Sequence, residues 1–140
     1  MYSIGAMARR TGVKVPTIRY YEQAGLLPEP ERTEGNQRRY DRAALDRLGF
    51  IRHCRELGFP LEAVRDLLAL GEDLAQPCHE ANDIAQTQLA AVRDRISRLQ
   101  ALETELQRIS DLCAGGHVGE CRVIEALADH ALCETEHRPA

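Results

Sequence analysis

Residues 17–40 read TIRYYEQAGLLPEPERTEGNQRRY, and this stretch decides how the front of the chain folds. Pro16, just before it, suits the first turn of a helix, and Gly25 is a stop signal. Two prolines then precede a Glu-Gly-Asn sequence at 34–36, which lies between arginine-rich arms and indicates a short hairpin. The stretch therefore predicts a helix to about Ala24, followed by a hairpin.

Helices are also predicted on both sides of this stretch. Ser3 can cap a helix that Gly12 ends, and this helix forms a helix-turn-helix with the one just described. Asp41 can cap the next helix, and Pro60 can start another. The first domain comprises residues 1–70, with these helices at 3–10, 41–57 and 60–70. Residues 71–79 then form a linker.

Residues 80–113 have the pattern of a long helix with one apolar stripe. Apolar or small residues recur about every 3.5 residues, which is the period of a coiled coil. They occupy positions 85, 89, 92, 96, 99, 102, 106, 109 and 113. Such a stripe must be buried against a partner, and pairing with a second copy is the simplest arrangement. Packing on the chain's own first domain is the alternative.

The composition favours a mainly helical protein with no membrane contact. Of the 140 residues, 44% are hydrophobic but only 4% are aromatic, and none is Trp. There is no run of about 18 apolar residues and no signal-peptide pattern, so we expect a cytoplasmic location and cysteines that are thiols or metal ligands. Residues 1–70 carry 12 Lys/Arg against 9 Asp/Glu, and residues 71–140 carry 6 against 13. This division places polyanion binding in the front half.

Two clusters of polar side chains in the front half suit DNA binding. On the second helix, Thr17, Arg19 and Tyr20 fall on faces other than that of Ile18 and Tyr21, which can enter the core. The hairpin carries the second cluster, which consists of Arg32, Arg38, Arg39 and Tyr40. Arginine suits phosphate and guanine edges, and a tyrosine hydroxyl suits a phosphate oxygen. A half-exposed aromatic with solvated arginines is the alternative interpretation.

Three cysteines flank the long helix. Cys78 and Cys113 are 35 residues apart, and Cys121 follows a glycine-rich loop. At about 1.5 Å per residue, the helix between the first two keeps them roughly 50 Å apart. A site that uses all three therefore requires a second chain running in the opposite direction. Thiolates bind soft or borderline cations such as Zn, Cu(I), Cd, Hg or Pb.

Other potential metal ligands remain open. His117 lies midway in the loop and is either a fourth ligand or a solvated histidine. His79 is adjacent to Cys78, but the sequence does not show whether its side chain points to the same site. Cys133 and His137 are four residues apart, a spacing that could hold a metal if this segment is helical. Cys54 lies on the apolar face of its helix, where a core role is favoured over a reactive one.

The stretch at 17–40, preceded by IGAMARRTGV and followed by LDRLGFIRHCRELGF, resembles the winged helix-turn-helix of MerR-family regulators. The resemblance extends over essentially the whole chain. It implies a homodimer built on an antiparallel pair of long helices, acting with RNA polymerase at a promoter. It also implies DNA contacts from the recognition helix, the wing and the helix after it, namely Thr17, Arg19, Tyr20, Arg32, Arg38, Tyr40 and Arg55.

The resemblance also implies a class of metal. Metal-sensing relatives carry two loop cysteines, which match Cys113 and Cys121, and sensors of divalent ions carry a cysteine at the position of Cys78. A third thiolate suits a divalent ion, so Zn, Cd, Pb or Hg is expected, although the loop spacing resembles that of Cu(I) sensors. A Cu(I) sensor, a thiol redox or electrophile sensor using Cys54, and a metal-sequestering protein are the alternatives.

The sequence thus predicts a mainly α protein: a winged helix-turn-helix domain, a long dimerisation helix in an antiparallel coiled coil, and a C-terminal metal-binding loop. The expected domains are 1–70, the linker 71–79, the dimerisation helix 80–113, and the loop, short helix and tail 114–140. The resemblance implies a homodimeric regulator that activates metal-resistance or efflux genes by distorting double-stranded promoter DNA. An enzyme is not expected, because no general base adjoins an open metal position in any recognisable motif.

Overall fold

Helices account for most of the chain, as the sequence predicts. The computed structural model describes residues 1–113 and 115–129, and these form two units, the first of which is Met1–Ile84 and the second of which begins at Ala85. The elements are α1 (Ile4–Thr11), α2 (Val15–Gln23), β1 (Glu31–Arg32), β2 (Arg38–Arg39), α3 (Arg42–Glu56), α4 (Leu61–Gly71), α5 (His79–Ser110), a 3₁₀ turn (Val118–Glu120) and α6 (Arg122–Ala128). Helix α5 begins in the first unit and continues into the second.

The predicted caps of α1 and α3 are confirmed. The Ser3 hydroxyl accepts a hydrogen bond from the Ala6 backbone N–H at 3.1 Å, and the Asp41 carboxylate accepts one from Ala44 at 2.8 Å. Each satisfies an N–H group that has no partner within its own helix. Pro60 is the N-cap of α4, directly before its first turn. Local sequence therefore sets where these helices begin.

Gly12 makes the tight turn of the helix-turn-helix possible. Its backbone is left-handed, with φ of +75°, and its N–H donates to the Ala8 carbonyl at 2.8 Å. The guanidinium of Arg52, from α3, lies where a side chain at Gly12 would begin, and it donates to the Thr11 carbonyl. A side chain at this position would therefore meet both backbone strain and a steric conflict.

The hairpin is a short two-stranded wing tied to the start of the chain. Strands β1 and β2 pair antiparallel, with Glu31 opposite Arg39 and Arg32 opposite Arg38. At the base of the wing, Tyr2 and Tyr40 exchange two backbone hydrogen bonds of 2.7 and 2.8 Å. An isolated two-stranded hairpin is at best marginally stable in water, so such tertiary anchors hold the wing in place.

The core of the first unit joins helices α1 to α4 to the base of the wing. Its fully buried side chains are Met7, Ile18, Leu26, Leu27, Tyr40, Leu48, Ile51 and Val64. The α3 residues that face inward follow helical spacing, as predicted, and include Leu45, Leu48, Ile51 and Cys54. This core fixes the angle between α2 and the wing, which carry the predicted DNA contacts.

In the second unit, α5 carries an exposed apolar stripe and ends in a small core. The helix has 32 residues, which corresponds to a length of about 48 Å. Ile96, Leu99 and Leu106 are 49%, 51% and 60% exposed, in keeping with the predicted apolar stripe. Ile109 of α5 and Ala126 of α6 are buried. Within the described residues, no helix is both long and apolar enough to cross a membrane.

Candidate DNA-binding surface and metal site

Helix α2 presents polar side chains on its outer faces. Ile18 and Tyr21 are buried in the core, whereas Arg19 is exposed and Tyr20 keeps 52% of its surface. Thr17 is half-buried. The division between inner and outer faces is the one that helical spacing predicts. It leaves a cation, a phenol and a hydroxyl available on a short, rigid helix, which is suitable chemistry for phosphates and base edges.

The wing arginines are positioned by contacts within the protein. Arg32 is exposed, and its guanidinium donates to the Asn36 carbonyl across the hairpin turn at 3.1 Å. Arg38 is partly buried, and its Nε donates to Glu22 of α2 at 3.1 Å. This ion pair uses the Nε of a guanidinium that has five N–H donors, and 23% of the side chain stays exposed. Arg38 thus connects the wing to α2 and still offers donors to a ligand.

Tyr40 departs from the expectation of a surface phosphate contact. Only 1% of the residue is exposed, and its hydroxyl donates a hydrogen bond to Glu22. Burial, together with the hydrogen bond to the Glu22 carboxylate, raises the pKa of Tyr40, so the phenol stays protonated. In this structure Tyr40 therefore anchors the wing rather than facing solvent, because its ring completes the core between β2 and α2.

Glu22 is the functional candidate that sequence reasoning missed. Its carboxylate accepts from both Arg38 and Tyr40, one on each oxygen, and only 9% of its side chain is exposed. The available signal was its position, because a carboxylate in the last turn of a helix opposes the helix dipole. Such a residue needs a partner from elsewhere in the fold, and the arginines of the wing were the candidates.

Arg55 lies at the corner between α3 and α4. It is exposed, and its guanidinium donates to the Phe59 carbonyl at 2.8 Å across the turn that follows α3. This contact satisfies a carbonyl beyond the helix end and directs the side chain along the corner. The position suits the phosphate contact that the family resemblance implies.

Two cysteines come together after α5. Gly115 and Gly116 both have positive φ, and the loop they form returns the chain from Cys113 to Cys121 at the start of α6. The Cys113 side chain lies close enough to Cys121 to influence its thiol. The backbone N–H groups of Ile124 and Val123 lower the pKa of Cys121, and the Cys113 side chain acts in the same direction. Two thiols with a stabilised thiolate form a donor pair suited to soft metal ions.

Within the part of the chain that the structure describes, the remaining predicted ligands are not gathered at this pair. Cys78 is exposed directly before α5, where its carbonyl accepts from Asn82 at 3.0 Å. His117 is exposed in the loop, just before the 3₁₀ turn. Cys133 and His137 lie outside the described residues. Among residues 1–113 and 115–129, no three His, Cys, Asp or Glu side chains are close enough to hold one ion.

Cys54 is a core thiol. Only 7% of the residue is exposed, and burial raises the pKa of its thiol. A raised pKa reduces the thiolate fraction, which is the reactive form. The environment therefore favours the packing role that the apolar face of α3 indicated.

The helix-turn-helix, the hairpin wing and the cationic outer faces together define a winged helix-turn-helix DNA-binding protein. The family described as "MerR HTH family regulatory protein" matches residues 2–70, and that described as "MerR, DNA binding" matches residues 45–109. The chain belongs to the MerR family of transcription regulators, as its motifs predicted. The family members are regulators rather than enzymes, so this prediction is confirmed too.

Relatives and a solved structure match almost the whole chain. The transcriptional regulator ZntR of Escherichia coli K12 is 42% identical over 134 residues, which cover 94% of this chain and 95% of ZntR. The mercuric resistance operon regulatory protein of Bacillus cereus is 36% identical over 127 residues, covering 90% and 96%. The crystal structure of the regulator PbrR691 from Ralstonia metallidurans CH34, in complex with lead(II), superposes with a TM-score of 0.78 at 39% identity, covering 91% and 99%.

Proposed function

We propose that this protein is a homodimeric, metal-responsive transcription regulator whose inducer is a divalent soft metal ion. The observation that carries the proposal is the paired thiols of Cys113 and Cys121 behind the dimerisation helix. The similarity to a mercuric resistance regulator and to a lead(II)-bound regulator supports the same class of ligand.

The third thiolate in this proposal is Cys78 of a second chain. Cys78 precedes α5 and Cys113 follows it, so about 48 Å of helix separates them within one chain. An antiparallel pair of α5 helices, joined along the stripe that includes Ile96 and Leu99, brings each Cys78 to the other chain's loop. The dimer then has two equivalent sites, each built from both chains.

The donor set favours a divalent ion. Three thiolates carry three negative charges, which a monovalent ion balances poorly, whereas Zn(II), Cd(II), Pb(II) and Hg(II) accept three sulfur ligands. When bound, the ion would link the loop of one chain to the helix start of the other. Fixing this loop and α6 gives the induced state different contacts from the free state, which a population shift requires. His117 is available as a fourth donor.

For DNA we propose contacts from three elements of the first unit, namely α2, the wing and the end of α3. Thr17, Arg19 and Tyr20 of α2 address the groove, and Arg32, Arg38 and Arg55 hold the flanking phosphates. Most of these are backbone contacts, so sequence preference depends largely on how easily the DNA deforms. RNA polymerase then acts on a promoter whose shape depends on the bound metal.

A mixed dimer tests the shared site directly. Chains carrying Cys78→Ser and Cys113→Ser are co-expressed with different tags, and the mixed dimer is purified. One of its two sites then has all three cysteines and the other has only Cys121, so we expect one tightly bound ion per mixed dimer and none in either mutant homodimer. Absence of binding in the mixed dimer would show that Cys78 is not shared between chains.

Transcription assays test the regulator function and the metal class. The protein's own promoter is transcribed at fixed free concentrations of Zn(II), Cd(II), Pb(II), Hg(II) and Cu(I). We expect divalent induction that Cys113→Ser abolishes while operator binding remains, and a matched Cys54→Ser control that retains induction. Strongest induction by Cu(I), or metal-independent induction that requires Cys54, would support the corresponding alternative. A protein that only sequesters metal would show no sequence-selective DNA binding.

A further inference from the structure

The Glu22 carboxylate occupies an unusual place for an acidic residue in a DNA-binding unit. It lies in the last turn of α2, close to the proposed DNA surface, where its charge opposes both the helix dipole and the phosphates. Neither the stability of α2 nor simple electrostatic attraction to DNA accounts for a carboxylate here. The contacts it makes with the wing are the remaining reason for its presence.

Those contacts use the whole carboxylate. One oxygen accepts from Arg38 Nε at 3.1 Å, and the other accepts from the buried Tyr40 hydroxyl. Because this ion pair uses the Nε of Arg38, the N–H groups on the terminal guanidinium nitrogens are available to a second ligand, and 23% of the side chain stays exposed. A guanidinium held along one edge by a carboxylate is oriented for a phosphate on its other edge.

The wing cannot hold this position by the pairing of its own strands alone. Its strands are two residues each, and its base is joined to the rest of the unit by the backbone pair of Tyr2 and Tyr40. Within a strand, successive side chains point to opposite faces, so turning Arg38 toward Glu22 turns Arg39 away. The carboxylate therefore holds Arg38 beside α2.

We propose that Glu22 is a positioning residue for DNA binding, which locks the wing onto the recognition helix and orients Arg38 toward a phosphate. The inference rests on the proposed phosphate contact of Arg38. It makes a prediction opposite in sign to simple electrostatics, because removing a negative charge near DNA should by itself tighten binding.

The test compares Glu22→Gln with Glu34→Gln, a matched charge removal at the exposed wing tip. Binding of the full-length protein to a labelled duplex of its own promoter is measured by fluorescence anisotropy between about 50 and 200 mM KCl, the range over which phosphate contacts affect affinity strongly. We expect Glu22→Gln to weaken binding roughly tenfold, or about 1.4 kcal/mol. Glu34→Gln should bind as tightly as the wild type or more tightly.

A double-mutant cycle with Arg38→Met identifies the route of the effect. If Glu22 acts through Arg38, Glu22→Gln should lose most of its effect in the Arg38→Met background, leaving less than about a threefold change. Both single variants should also reduce the slope of log affinity against log salt, by up to about 0.9 for the one phosphate contact. Lower stability alone would reduce the active fraction without changing this slope.

Each outcome decides the inference. Binding of Glu22→Gln equal to or tighter than wild type overturns it, as does full additivity with Arg38→Met. If Arg38→Met does not change DNA affinity, the proposed phosphate contact of Arg38 is refuted as well. If Arg38→Met weakens DNA binding and Glu22→Gln does not, only the positioning role of Glu22 is refuted. Should Glu22→Gln not fold, as judged by circular dichroism, Tyr40→Phe removes one of the two anchors and keeps the core. It should weaken binding roughly threefold, and unchanged affinity would refute the inference.

Discussion

Replacing Gly12 by alanine should destabilise the first unit through two separate effects. The left-handed backbone, with φ of +75°, costs an alanine roughly 1–2 kcal/mol. The new methyl group also displaces the Arg52 guanidinium, which loses its hydrogen bond to the Thr11 carbonyl, a loss of about 1 kcal/mol for a half-exposed side chain. The expected total is therefore about 2–3 kcal/mol in the free energy of unfolding.

Urea denaturation followed by circular dichroism, at one fixed protein concentration, measures this loss. Gly49→Ala is the matched control, because Gly49 lies inside α3 with no atom near its Cβ position and should gain about 0.5–1 kcal/mol. In an Arg52→Met background the cost of Gly12→Ala should fall by about 1 kcal/mol. A Gly12→Ala protein within about 0.5 kcal/mol of the wild type would refute the account of this turn, and an unchanged cost in the Arg52→Met background would refute the steric part.

Three further outcomes follow from described contacts. Asp41→Ala should lower the free energy of unfolding by about 1 kcal/mol because α3 loses its cap, whereas Asp46→Ala, which removes an exposed ion pair, should change it by less than about 0.5 kcal/mol in the same urea titration. Cys54 should react with iodoacetamide more slowly than the exposed cysteines at pH 8, since burial raises its pKa and lowers its thiolate fraction; equal rates by mass spectrometry would contradict this. In light scattering, Ile96→Glu should dissociate the proposed dimer, and the neighbouring Ser97→Glu should not.

Local chemistry was sufficient to predict most of the helices and the wing. Ser3, Gly12 and Asp41 act on backbone groups within four residues, so their effects can be predicted from the sequence. Helix α5 was expected at 80–113 and spans His79–Ser110, so it begins one residue earlier and ends three residues earlier. The earlier end arises because the chain continues from Ser110 to Cys113 as a looser turn.

What the sequence did not reveal depends on partners far along the chain. Tyr40 was expected to offer its hydroxyl to a phosphate, yet its ring enters the core and its hydroxyl donates to Glu22, 18 residues away. Leu57 fits the helical stripe of α3 but is 56% exposed, since the chain turns toward α4 before another element covers it. Periodicity predicts which face a residue occupies, and only the tertiary arrangement decides whether that face is covered.

The ion pair between Arg38 and Glu22 also has an entropic consequence. A free arginine at a binding surface loses roughly 0.5–1.5 kcal/mol of side-chain freedom when it is immobilised on a ligand. Arg38 is already held by Glu22 before DNA arrives, so this loss of freedom belongs to folding and not to association. A contact made by Arg38 should therefore have a more favourable binding entropy than the same contact made by the exposed Arg19, even where their enthalpies match.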